Sequence, residues 1–224
     1  MAALAAACSA TSVIYKTGDG ITQDDYRVDP NDWPMTFFWP WKKRNQADAY
    51  RCSATMISDR VAVTAAHCIQ KKEVGKISKR RQRKFKVQLN GGNGRRKIKE
   101  IRVDNCWNFR REGPNSNDLA MLFLDRPIDN AVRGVDYVEI WNPAEHGDED
   151  LTGAEFIIAG WGMSGPFRDG STRHLRDRVV FHRGFNEINE IDKNQVLFTM
   201  DQDGLELEAM GWYGDSGSGT FVER

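Results

Sequence analysis

An all-β fold is predicted from three observations. Apolar residues recur at a spacing of two over short stretches, turn-forming residues separate those stretches, and no segment sustains the 3.6-residue period of a long helix. Arg51–Ile57 and Val61–Thr64 read as a hairpin across Ser58-Asp59-Arg60. Phe85, Val87 and Leu89 alternate with polar residues before Asn90-Gly91-Gly92-Asn93-Gly94 turns the chain. Leu119–Leu124 is a nearly continuous apolar run, as in a strand covered on both faces. Phe156–Ala159, Val179–Phe181 and Val196–Met200 are further strands. Between Arg126 and about Thr152 the strand signals fade around Pro127, Pro143 and an acidic cluster over Glu145–Asp150, which marks a domain seam.

At 224 residues the chain has ample length for a core, and seven tryptophans argue against disorder. Thirty-two basic residues balance thirty-two acidic ones, so no net field points to nucleic acid. No run approaches 18 apolar residues, so no transmembrane helix is expected.

Three strings carry chemistry. Thr64-Ala65-Ala66-His67-Cys68 places an imidazole in a turn of small residues, Asn117-Asp118-Leu119-Ala120-Met121-Leu122 places a carboxylate at the mouth of an apolar strand, and Gly214-Asp215-Ser216-Gly217-Ser218-Gly219 places a hydroxyl among glycines. Acyl transfer at serine requires such a hydroxyl, an imidazole to take its proton and a carboxylate to orient the imidazole. Glycines beside the serine let backbone N–H groups turn toward an oxyanion. A phosphate-binding loop is excluded, because no lysine and no helix follow the glycines. Zinc is excluded, because Cys and His show no ligand spacing beyond His67-Cys68.

Together these strings resemble the trypsin/chymotrypsin-like serine proteases, the S1 family, from about Val13 onward, with Gly160-Trp161-Gly162 as a further match. The resemblance implies two antiparallel β-barrels of the chymotrypsin type: residues 13–126 would carry His67 and Asp118, residues 127–151 a linker, and residues 152–224 an incomplete second barrel with Ser216. It implies a serine endopeptidase with His67 as general base and acid, Asp118 as its orienting carboxylate and Ser216 as nucleophile, the alternative being a non-catalytic binding protein or inactive fragment on the protease fold. Gly214 and Ser216 N–H groups would form the oxyanion hole, and Asp215 would pair with a freed N-terminal amine. It also implies a Cys52–Cys68 disulfide, worth about 3 kcal/mol on a chain-entropy model, and hence an oxidising, secretory location. Partners would be polypeptide substrates and protein inhibitors, with no cofactor, no metal and no membrane span.

Several positions depart from the family pattern. Trp212 stands where a cysteine is usual, and Met210 falls on the specificity-pocket floor, which suits apolar or small P1 side chains rather than Lys or Arg. The order Ser216-Gly217-Ser218 is similar to the V8-like glutamyl endopeptidase branch, as are Val13-Ile14-Tyr15, Asp125–Asn130 and Val196-Leu197-Phe198. Two activation routes stay open: cleavage at Arg27-Val28, or exposure of Val13 after a leader ends near Ala10–Ser12. Ending at Arg224, the chain resembles a truncated member with bare strand edges and weak stability. Cys8 reads as a leader cysteine and Cys106 as a free thiol, with a bond between them as the alternative. His146, His174 and His182 read as surface or half-buried histidines, and the basic run Lys71–Lys84 as a solvated loop or an exosite for acidic partners.

Overall fold

The computed structural model describes residues 2–4, 14–16, 20–30, 32–33, 35–40, 51–69, 71–82, 86–88, 95–107, 117–128, 139–140, 151–162, 165–168, 171–172, 180–192, 195–201, 204–210 and 216–222. In chain order the strands are β1 (Ala2–Leu4), β2 (Ile14–Tyr15), β3 (Thr36–Pro40), β4 (Arg51–Met56), β5 (Val61–Thr64), β6 (Gly75–Lys76), β7 (Lys86–Gln88), β8 (Arg95–Val103) and β9 (Ala120–Leu124). They continue with β10 (Glu139–Ile140), β11 (Glu155–Gly160), β12 (Gly165–Arg168), β13 (Ser171–Thr172), β14 (His182–Glu187), β15 (Glu190–Asp192), β16 (Gln195–Leu197), β17 (Ala209–Met210) and β18 (Thr220–Val222). Among the described residues the one α-helix, α1 (Lys79–Gln82), spans four residues. The all-β class therefore stands, as the missing 3.6 period leads one to expect.

The first half forms a seven-stranded antiparallel sheet in the order β3-β4-β5-β9-β8-β6, with β7 also on β8. The hairpin expected at 51–64 is present as β4 and β5, and Ser58 Oγ accepts the Val61 N–H at 3.1 Å in its turn. One face buries Phe37, Met56, Ile98, Ile101, Leu122 and Leu124, each worth about 1.5–3 kcal/mol of apolar transfer. β9 is less enclosed than its apolar sequence suggests: Ala120, Leu122 and Leu124 are buried, while Met121 and Phe123 are half-buried. The Arg102 guanidinium lies 4.8 Å from the Phe123 ring centroid and partly covers that outer face.

The second half comprises a five-stranded sheet (β10-β1-β18-β11-β14), a four-stranded sheet (β13-β12-β2-β17) and the hairpin β15-β16. Tyr26, Phe156, Ile158 and Ile188 share one core, while Trp33, Ile157, Phe181 and Phe221 share another. Trp33 and Phe221 meet edge to face with ring centroids 5.2 Å apart.

The expectation of two β-barrels is overturned, because no sheet closes among the described residues. A barrel requires its first and last strands to hydrogen-bond. In the seven-stranded sheet β3 approaches β7 without forming a ladder, and the two-residue β6 shares one edge of β8 with β7, so no continuous edge is offered for closure. In the second half β1 joins β10 in parallel and β2 joins β12 in parallel, leaving separate open sheets. Among the described residues the sheet edges are β10 and β14 in the five-stranded sheet and β13 and β17 in the four-stranded one. β1 runs antiparallel to β18 from Ala2↔Val222 to Leu4↔Thr220, and β2 runs antiparallel to β17. Most of the expected linker, residues 129–138 and 141–150, lies outside the described residues.

Two further expectations are corrected at one place. The strand expected over Val179–Phe181 begins instead at His182, and His182 is buried rather than at the surface. It stands opposite Gly160 across the β11–β14 ladder. Burial, reinforced by the Arg27 charge and opposed by the Val180 backbone and Asp24, lowers its pKa to about 4. The folded state thus prefers the neutral ring. Stability from this preference is fully present above the ordinary value of 6.5 and is lost as pH falls toward about 4. The loss expected across that window is about 3 kcal/mol. Denaturant melts at stepped pH should show it, and a His182→Phe variant should flatten the profile between those values.

Candidate active site

The antiparallel register of β5 and β9 brings the histidine and the aspartate together. Thr64, the last residue of β5, lies opposite Ala120, the first of β9. Asp118 therefore approaches β9 just as the chain leaves β5 for the single 3-10 turn Ala66–Cys68 that carries His67. Asp118 then grips that turn by three bonds. Its carbonyl accepts the Ala66 N–H at 3.2 Å, Oδ1 accepts the His67 N–H at 2.8 Å, and Oδ2 lies 2.6 Å from His67 Nδ1. A carboxylate can only accept, so Nδ1 carries a proton and Nε2 is the nitrogen turned away from Asp118. Asp118 is buried, whereas the His67 side chain is 26% exposed, so the ring presents an edge to solvent.

A disulfide joins Cys52 on β4 to Cys68, the neighbour of His67, across a sequence separation of 16. It ties the histidine turn to the adjacent strand. Replacing Cys52 and Cys68 together by alanine should lower unfolding stability by about 3 kcal/mol, read from the denaturant midpoint. The three ligand atoms of Cys52, His67 and Cys68 lie within 4.8 Å of one another. With both sulfurs in a disulfide, no thiolate remains to bind an ion.

Ser216 is held against β4 by its backbone. The Ser53 N–H on β4 donates to the Ser216 carbonyl at 2.8 Å, and that oxygen lies 3.9 Å from Cys68 Sγ. Ser53 is a three-way joint, because its carbonyl accepts from Thr64 Oγ1 at 2.8 Å and its Oγ accepts the Trp161 N–H at 3.1 Å. Thr55 Oγ1 accepts the Gly219 N–H at 3.0 Å. Gly217 has φ +83°, and a β-carbon there would collide with Thr64 Oγ1, the Ser53 carbonyl and Ala65 N. Ser216 is itself buried, and His67 makes no hydrogen bond to it among the described residues. Such bonds are commonly long in unliganded sites and tighten around substrate.

Gly214, Asp215 and Trp212 lie outside the described residues, as do Cys8, Val13, His146 and His174. Met210 is on β17, half-buried and in register with Ile14. Val28 donates its N–H to the Phe181 carbonyl at 3.3 Å. Cys106 is a free, exposed thiol.

The sequence reading missed the pins Ser53, Thr55 and Thr64. Ser53 and Thr55 share one face of β4 and both are buried, so that polar face looks onto another part of the protein, which the sequence pattern alone does not reveal. It also missed Glu208, a buried acid two residues before Met210. Glu208 Oε1 accepts the Asp201 N–H at 2.8 Å, and burial raises its pKa.

Residues 25–224 match the family model described as Trypsin. No curated protein sequence matches the chain. Among solved structures, GrC aligns with a TM-score of 0.50 at 18% identity, covering 74% of this chain and 64% of that one. HL collagenase aligns with a TM-score of 0.57 at 14% identity, covering 88% of this chain and 79% of that one. At these identities the likeness is one of fold, and the chain spans less than two thirds of the length of GrC. The match over residues 25–224, with a His67–Asp118 pair built on its strand ends, places the chain in the trypsin family of S1-type serine endopeptidases.

Proposed function

We propose that the chain hydrolyses peptide bonds through His67, Asp118 and Ser216. The observation that carries this reading is the pinning of the histidine turn and the serine loop to one sheet, through Asp118 before β9 and Ser53 on β4. Ser216 Oγ attacks the scissile carbonyl as His67 Nε2 takes its proton, and the N–H groups of Gly214 and Ser216 receive the oxyanion. His67 next protonates the leaving amine. Water then enters, again losing its proton to Nε2, and releases the acyl group from Ser216. Asp118 stays ionised and stabilises the imidazolium formed in each half-reaction. Met210 on the segment leading to Ser216 favours apolar or small P1 side chains, and the disulfide suits a secretory compartment.

The test is hydrolysis of a mixed-sequence peptide library by the full chain and by Ser216→Ala. Cleavage that vanishes in the variant supports the proposal, and cleavage that persists at the same rate overturns it.

A further inference from the structure

The charge balance of the whole chain conceals a strong segregation. Residues 71–103 hold fourteen basic side chains and two acidic ones, a surplus of twelve that the remaining residues cancel. Within this stretch β6 and β7 both pair with β8 along the same edge. Arg96, Ile98 and Ile101 of β8 point inward, while Arg95, Lys97, Lys99 and Arg102 are exposed. A simple alternation from Ile98 would turn residue 101 outward and residue 102 inward. The bulge between Ile98 and Glu100 resets the phase, so that Ile101 stays in the core and Arg102 continues the exposed row.

One carboxylate within this row, Glu100, interacts with Arg102, Lys76 and Lys99. Glu100, opposite Lys76, pairs with Arg102 at 2.8 Å. Lys76, Lys97 and Lys99 make no ion pair among the described residues. Like charges assembled this way repel one another and weaken the sheet. A ligand of opposite charge removes that penalty.

We propose that the exposed face of β8 and β6 is a docking surface for an extended acidic polypeptide segment with carboxylates at alternate positions. Side chains on one face of a strand repeat every two residues, about 6.8 Å, and an extended peptide presents its own alternate side chains at that spacing. Glu100 within the row disfavours a continuously charged polyanion but leaves discrete carboxylates room beside it. Val103 at the end of β8 is in register with Ala120, close to Asp118, so the row starts near the His67–Asp118 pair. It extends about 24 Å away from it at about 3.4 Å per residue. The surface would thus select polypeptide substrates with an acidic stretch outside the scissile bond, an assignment that rests on the hydrolytic reading above.

The test separates binding from hydrolysis. A fluorescently labelled peptide with glutamate at alternate positions is titrated with the Ser216→Ala chain at about 50 and 150 mM salt, alongside its glutamine counterpart. The acidic peptide should bind more tightly, and more weakly at the higher salt. The K97E/K99E double variant should weaken binding by about tenfold or more, while Arg60→Glu, on the β4–β5 turn, should leave it unchanged, with circular dichroism verifying both folds. Binding equal for both peptides, or indifferent to K97E/K99E, overturns the proposal. Tighter binding of a sulfated glycan or single-stranded DNA of equal charge also overturns it by assigning the surface to another class. Peptide binding without hydrolysis by the unaltered chain would refute the catalytic reading and leave this surface standing.

Discussion

Replacing His67 by alanine is expected to lower kcat for peptide hydrolysis by about a million-fold with little change in stability. The ring is partly exposed and lies outside the core of the seven-stranded sheet, so its removal leaves no large cavity. What it removes is the one base whose tautomer Asp118 Oδ2 fixes at 2.6 Å. Asp118→Asn should be milder, about ten-thousand-fold, because the amide can donate to Nδ1 and so selects the wrong tautomer. Steady-state kinetics beside thermal melts will separate the two effects. A His67→Ala chain that keeps its rate, or one that merely unfolds, contradicts the roles assigned here.

Gly217→Ala is expected to be the most damaging small substitution, costing about 3–5 kcal/mol and most of the activity. Two effects combine there. The left-handed φ of +83° is strained for any residue with a β-carbon, and that carbon meets atoms of Ser53, Thr64 and Ala65. Gly20, with φ +87° and no atom within 4 Å of where a β-carbon would stand, isolates the first effect, so Gly20→Ala should cost only about 1–2 kcal/mol. Comparing the two melting curves measures the docking of the serine loop. Equal losses would show that residues 216–219 do not press on β4 and β5 as described.

How much of this was legible in the sequence depended on the range of the signal. His67 and Asp118 were readable because each flanks the end of an apolar strand, and one ladder of β5 with β9 brings them together. Ser53, Thr55 and Thr64 were not, since hydroxyl residues alternating in a strand ordinarily mark a solvated face, and here distant segments, residues 216–219 and Trp161 among them, bond to Ser53 and Thr55. β8 was obscured for a related reason: Arg96 turns inward to donate to the Pro127 carbonyl at 3.1 Å, and the bulge breaks the period of two. Barrel closure was inferred from family likeness, and it depends on pairings between distant strands that no local pattern encodes. The place of Ala2–Leu4 between β10 and β18 was equally hidden, because both of its partners lie more than 130 residues further along the chain.

The most direct measurement is the site of covalent attack by a fluorophosphonate, which phosphonylates a serine only when a neighbouring base activates it. Peptide mass spectrometry of the labelled full chain should place one adduct on Ser216, and the adduct should be absent from the His67→Ala variant. Labelling at another residue, or at Ser216 with undiminished rate when His67 is gone, would contradict the account.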